Sequence, residues 1–334
     1  MKKLLPFLLL ALALAACRQA AAPEIAEATN PAASSPFALE AKIIPPGDYE
    51  LSLGEADDSR KVIVHIPPGY DGSVQLPLLI VLHGGAGSGQ QIQRHSQMDA
   101  DADEYGFVVA YPNGSGRLQD DLLTWNTGHC CAYALANQVD DVAYLGLLID
   151  RLLSHYSLDA QRVYLTGISN GGMMAYRAGA ELADKVAGIA PIAGSLGGRI
   201  SENDLEIRPA APDSPVSVIV FHGLQDQHVL FAGGVSLKDI DGRRVDLSVA
   251  ESIDFWLEAD SCSRQVETET QADGNIVIDS YVDCEAGTEV VLVTIVDGGH
   301  AWPGARQRLV GDDPTQDISA NQIMLEFFLA HPKQ

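Results

Sequence analysis

Seven short, mostly apolar runs, separated by segments of helical periodicity, constrain this chain more than any other feature. They cover residues 60–66, 76–82, 107–111, 162–166, 186–192, 216–221 and 289–296. The second, fourth, sixth and seventh are nearly all apolar, the pattern of strands covered on both faces of a parallel sheet. Between them, residues 140–156 put Val142, Leu145, Ile149, Leu152, Leu153 and Tyr156 on one face at helical spacing. A last helix opens with Ser319 and Gln322 as a capping-box pair, with Ile318 and Ile323 at staple positions. Strands alternating with helices predict a single α/β domain with a mostly parallel central sheet and helices on both faces. Residues 194–214 and 229–244 read as polar insertions in that domain, and no internal repeat is evident.

Composition narrows the function classes. Hydrophobic residues make up 46% of the 334, which suffices for a buried core. The 21 Lys and Arg stand against 45 Asp and Glu, a formal charge of −24. Binding to nucleic acid needs clustered cations on phosphates, so no nucleic-acid partner is expected.

The N-terminal residues read as an address. Lys2 and Lys3 precede an apolar run from residue 4 to residue 16, long enough for a signal-peptide core and too short to span a membrane. The run ends Leu14-Ala15-Ala16-Cys17, which resembles a bacterial lipobox: cleavage after residue 16 and lipid on Cys17, the expected route of membrane attachment. Residues 17–41, rich in Ala, Pro and Ser, read as a tether, and residues 42–334 as the catalytic domain. The expected location is outside the cytoplasm, lipid-anchored to the cell envelope or extracellular. The four remaining cysteines, Cys130, Cys131, Cys262 and Cys284, favour disulfides in an exported chain. Three pairings are open. Cys262–Cys284 with a vicinal Cys130–Cys131 bridge is preferred, and zinc at His129-Cys130-Cys131 is disfavoured because adjacent ligands lack the usual spacing.

The chemistry-bearing motif is Gly167-Ile168-Ser169-Asn170-Gly171, set between an apolar run and a helical pattern. G-x-S-x-G in that context lifts a nucleophilic serine above a sheet edge on a tight turn, where a Cβ at either glycine would strike backbone. A serine nucleophile needs a base and an orienting carboxylate, which in this arrangement follow in the order Ser, Asp, His. Residues 216–221 lead into His222-Gly223-Leu224-Gln225-Asp226, and residues 289–296 into Gly298-Gly299-His300. Ser169, Asp226 and His300 are therefore the candidate nucleophile, orienting acid and base, all past strand C-termini on one sheet edge. His228 is a rival base, too close in sequence to Asp226 for the usual arrangement; His331 lies near the chain end. After residues 76–82 comes His83-Gly84-Gly85-Ala86-Gly87, where glycines let backbone N–H groups approach an oxyanion. Gly85 and Asn170 are the candidate donors. A phosphate loop is excluded by the missing G-K-[ST] ending, and G-x-G-x-x-G is not matched.

Several longer motifs carry a resemblance. His83-Gly84-Gly85, Thr124-Trp125-Asn126-Thr127-Gly128 with Cys130-Cys131, Val139-Asp140-Asp141-Val142, residues 167–174, His222-Gly223 with Asp226, and Gly299-His300-Ala301-Trp302-Pro303-Gly304 together resemble the poly(3-hydroxybutyrate) depolymerase/feruloyl esterase family of secreted α/β-hydrolases. The similarity runs from about Ile43 to His331. It implies an α/β-hydrolase fold, the triad Ser169, Asp226 and His300, and a small-molecule or oligomeric carboxylic ester as substrate: feruloyl or acetyl esters on polysaccharide fragments, or short hydroxyalkanoate polyesters. Relatives often carry a polymer-binding module for which this chain has no room, which favours soluble fragments. No metal or organic cofactor is needed by that chemistry. Asp140 and Asp141 are expected to cap the following helix, and Trp125 and Trp302 are candidate substrate contacts. The alternatives are a serine peptidase on the same fold, or a non-catalytic binding lipoprotein. Oligomeric state is not legible.

Overall fold

The computed structural model describes residues 44–54, 59–118, 120–238, 243–307 and 312–334. The expected leader, Cys17 and the tether lie outside the described residues. The first half of the domain contains β1 (Gly47–Leu53), β2 (Arg60–Ile66), β3 (Leu76–Leu82), α1 (Gly89–Ser96), α2 (Met98–Tyr105), β4 (Val108–Pro112), α3 (Ala132–Ala136), α4 (Asp141–His155), β5 (Leu158–Ile168) and α5 (Asn170–Glu181). The second half contains β6 (Gly188–Ile192), β7 (Gly198–Arg199), β8 (Ser217–Gly223), β9 (Gly234–Val235), β10 (Val245–Asp246), α6 (Val249–Ala259), β11 (Val266–Gln271), β12 (Ile276–Tyr281), β13 (Val290–Ile295) and α7 (Ala320–Ala330).

Ten strands form one sheet in the order β1-β2-β4-β3-β5-β6-β8-β13-β12-β11. The central six, β4 to β13, are parallel, and an antiparallel pair closes each side. In β3 the pleat sends Leu78, Ile80 and Leu82 into one core and Leu79 and Val81 into the other. Helices α4, α5 and α6 cover the first face through Leu145, Ile149, Met174, Ile253 and Trp256. On the second face, α1, α2 and α7 contribute Ile92, Met98, Met324 and Phe328. Two-sided burial is the reason β3, β8 and β13 are apolar without alternation.

The seven expected strands are all present, with ends shifted by a few residues. The three unanticipated strands of the main sheet are β1, β11 and β12. They belong to the two flanks, where one face or both meet solvent, and every residue of β11 is exposed. The two polar insertions contribute β7 and β9, which pair with β10 as a separate three-stranded sheet.

The helix caps match the sequence expectation at Ser319 and Asp140 and depart from it at Asp141. Ser319 accepts the Gln322 N–H, but the Gln322 side chain donates to Asp101 instead of closing the box. The complete capping box is Ser248 with Glu251 on α6. Asp140 caps α4 by accepting the Ala143 N–H. Asp141 does not: it is fully buried, 2.5 Å from Arg60 Nη1, and accepts the Asn126 N–H. Because β3, β5, β8 and β13 run parallel, the loops that follow them emerge on one edge. Those loops carry His83-Gly84-Gly85, Ser169, Asp226 and His300.

Candidate active site

Ser169 joins β5 to α5 with φ 58° and ψ −123°, a conformation that costs a non-glycine residue about 1–3 kcal/mol. Its N–H donates to Ile192 O at 2.9 Å and its carbonyl accepts the Met173 N–H at 2.8 Å, so both neighbouring elements hold the turn. A Cβ at Gly167 would stand 2.7 Å from the Gly171 carbonyl, and one at Gly171 would overlap the carbonyls of Leu82 and His83. The turn can press against the end of β3 only with glycine at both places.

The β3 loop is built around a neutral histidine. His83 Nε2 accepts the Gly114 N–H at 2.9 Å and Nδ1 donates to Gly84 O at 2.8 Å. Burial lowers its pKa to about 4, the state those two bonds require. Gly84 comes so close to the serine that a Cβ there would lie 3.5 Å from Ser169 Cβ. Asn170 opens α5, so its N–H has no intrahelical acceptor. Its buried carboxamide accepts the Trp125 N–H and donates to Trp125 O.

His300 Nδ1 lies 2.7 Å from Asp226 Oδ2. The other carboxylate oxygen accepts the N–H groups of His228 and Val229 at 2.8 and 3.0 Å. Burial pushes the Asp226 carboxyl up, but the bond and charge of His300, the charge of His222 and the Val229 N–H outweigh it, leaving the group below the ordinary carboxylate range. An ionised Asp226 accepts only, so the His300 Nδ1–H is the donor in this contact. Gly223 sits where any Cβ would overlap Gly298 O, and Gln225 N–H donates to Gly298 O at 2.9 Å, which locks the two loops together.

Ser169 and His300 line one cleft of about 410 Å³, together with Gly84, Gly85, Gln91, His95, His228 and Asp312. No hydrogen bond joins the Ser169 hydroxyl to His300. The rival base His228 packs its ring against that of His300, with centroids 4.8 Å apart, and reaches Asp226 through its backbone alone. His331 bonds Phe327 O at the end of α7. Among the described residues, Asp48, His65 and Asp99 come close enough to share a metal ion, but they belong to β1, β2 and α2 and not to the cleft lining.

Residues 61–220 match the family described as Esterase PHB depolymerase. The chain carries an esterase domain of the PHB depolymerase family. That esterase domain includes β3, β5 and Ser169, whereas Asp226 and His300 follow it. Feruloyl esterase B of Piromyces equi is 32% identical over 243 residues, 72% of this chain but 42% of that protein. The chain thus spans less than half of that relative's length. The putative esterase NocK of Nocardia uniformis subsp. tsuyamanensis is 28% identical over 94% of both chains. The acetyl xylan esterase from Aspergillus awamori superposes with a TM-score of 0.56 at 14% identity, covering 85% of this chain and 99% of that one. With the mostly parallel sheet and single domain described above, these likenesses make the fold an α/β-hydrolase.

Two expectations for this esterase domain and its extension need correction. Trp125 and Trp302 are both fully buried. The Trp125 indole N–H donates to His83 O at 3.0 Å, and that of Trp302 to Asn321 Oδ1 at 2.8 Å. Each ring braces a loop from below and offers no face to the cleft.

Both disulfides join the preferred partners, Cys262 with Cys284 and Cys130 with Cys131. The vicinal pair packs beside Met173 and Val229, behind the start of α5. Sequence reasoning missed Asp312, whose carboxylate accepts the His300 backbone N–H at 2.7 Å. It also missed the carboxamide role of Asn170. Neither has a local signature, since both act through backbone groups distant in sequence.

Proposed function

We propose that the protein is an exported serine esterase that hydrolyses carboxylic esters through an acyl-enzyme. Ser169 attacks the ester carbonyl, His300 Nε2 takes its proton, and Asp226 holds the imidazole in the required tautomer. The N–H groups of Gly85 and Asn170 receive the developing oxyanion, each worth on the order of 10²–10³ in rate in comparable sites. His300 then gives its proton to the leaving alcohol, and water repeats the sequence on the acyl-serine. Proton transfer brings the Ser169 hydroxyl within hydrogen-bond reach of His300 Nε2, a contact that in comparable sites tightens when substrate binds.

The observation that carries this reading is the 2.7 Å contact between His300 Nδ1 and Asp226 Oδ2, in a cleft shared with a strained serine. The names of the relatives support feruloyl or acetyl esters on polysaccharide fragments, or short hydroxyalkanoate esters, as the substrate class. Export and a lipid on Cys17 rest on the N-terminal sequence. A panel of feruloyl, acetyl-xylan and hydroxybutyrate esters, with a peptide amide for contrast, tests the reading in wild type and Ser169→Ala. Ester turnover that vanishes with Ser169 is expected; turnover surviving the substitution rejects the assignment.

A further inference from the structure

We propose that Asp312 is a positioning residue for His300, which rests on the esterase reading above. The segment after β13 is Asp297-Gly298-Gly299-His300, and two successive glycines give its backbone wide freedom. The Asp226 contact fixes the tilt of the imidazole through Nδ1 but leaves the backbone of His300 unheld. That backbone is fixed by Asp312, whose Oδ2 accepts the His300 N–H at 2.7 Å. The same carboxylate packs flat on Gly299, where any Cβ would overlap Oδ2. Glycine at 299 is therefore required by the approach of Asp312.

The other oxygen of Asp312 lies 3.4 Å from Lys238 Nζ. Lys238 follows Leu237, whose N–H donates to Gln227 O in the turn that carries Asp226. Asp312 thus touches both segments that bring the imidazole and its carboxylate partner together. The bond from the His300 N–H, foremost, holds its carboxyl below the ordinary range, so it is charged and a strong acceptor at neutral pH. Both partners of the Lys238 pair are partly exposed, and such pairs contribute little to stability. The backbone bond is the consequential contact.

Displacing a reacting group by about 1 Å costs about 10²-fold in rate. On that scale, Asp312→Ala is expected to lower kcat for soluble p-nitrophenyl acetate by about 10- to 100-fold with KM unchanged. Asp312→Asn keeps an oxygen that accepts the His300 N–H and is expected to restore kcat to near the wild-type rate. The downfield proton resonance of the His300 Nδ1–H gives a readout independent of turnover; it should shift or broaden in Asp312→Ala and return in Asp312→Asn. Asp312→Ser, too short to reach His300, replaces the alanine variant should that fail to fold. Wild-type kcat and an unmoved resonance in the alanine or serine variant would overturn the proposal, as would an asparagine variant no better than either. Turnover retained in Ser169→Ala signals instead that the esterase reading fails, and the role of Asp312 falls with it.

Discussion

The Asn170 carboxamide is tied at both ends to the backbone of Trp125, accepting its N–H at 2.7 Å and donating to its carbonyl at 2.9 Å. Trp125 is fully buried, so the side chain of Asn170 supplies the acceptor its N–H needs, while its carbonyl also accepts the Cys131 N–H at 3.2 Å. Trp125 in turn donates its indole N–H to His83 O, which ties the Ser169 turn to the glycine loop beside it.

Asn170→Ala leaves the backbone N–H of residue 170 in place but strands the buried Trp125 N–H, while the Trp125 carbonyl keeps the Cys131 N–H as a partner. Leaving such a group unsatisfied costs about 1–3 kcal/mol. The variant is expected to unfold at lower urea concentration than wild type with an unchanged slope. An unaltered midpoint would show that the loop finds other partners at no cost.

Asp260 ends α6 in a buried position, with Oδ1 accepting the Val216 N–H at 3.1 Å and Oδ2 unpartnered. Burial raises its pKa to about 7, and Glu285 adds to the effect. The folded state therefore holds a proton that the unfolded state, near the ordinary value of about 3.9, releases earlier. Stability from this group is complete in acid and is lost as pH rises towards about 7. Asp260→Asn keeps the oxygen for Val216 and carries no charge. It is expected to be more stable than wild type at alkaline pH, with the advantage shrinking towards pH 5. Equal urea midpoints for the two proteins at both pH values would contradict this.

His65 on β2 lies between two carboxylates, with Nδ1 2.7 Å from Asp48 and Nε2 2.9 Å from Asp103, and Asp99 3.9 Å away. Ionised carboxylates only accept, so both ring nitrogens must donate and the imidazolium is the fitting state. Burial lowers its pKa, but the bonds to Asp48 and Asp103 and the charges of Asp99 and Asp103 outweigh it, and the net shift is upward. The contribution to stability is full below the ordinary histidine value of about 6.5 and is lost as pH rises through the raised value. His65→Gln should therefore cost more stability at pH 6 than at pH 9, by thermal unfolding. An equal loss at both would mean that the ring acts through packing.

The central strands were legible because burial on both faces removes polar alternation, as in β3 and β13. The flanking strands were not: Val266-Glu267-Thr268-Glu269-Thr270-Gln271 contacts solvent throughout and carries no signal of a buried sheet. The serine turn could be read from its glycines, since Gly167 and Gly171 answer a local steric demand. Trp125 and Trp302 were misjudged because a place on a loop does not say which way a ring points. Asp141 looked like a helix cap, and its actual partner, Arg60, lies 81 residues away on β2. Asp312 gave no signal at all, because a carboxylate that holds a backbone N–H needs no partner side chain.

Covalent labelling with a fluorophosphonate, followed by peptide mass mapping, tests the central claim most directly. One adduct on the peptide bearing Ser169 is expected, with labelling lost in Ser169→Ala and strongly slowed in His300→Ala. An adduct on another residue, or undiminished labelling without the imidazole, would contradict a Ser169–His300–Asp226 catalytic unit.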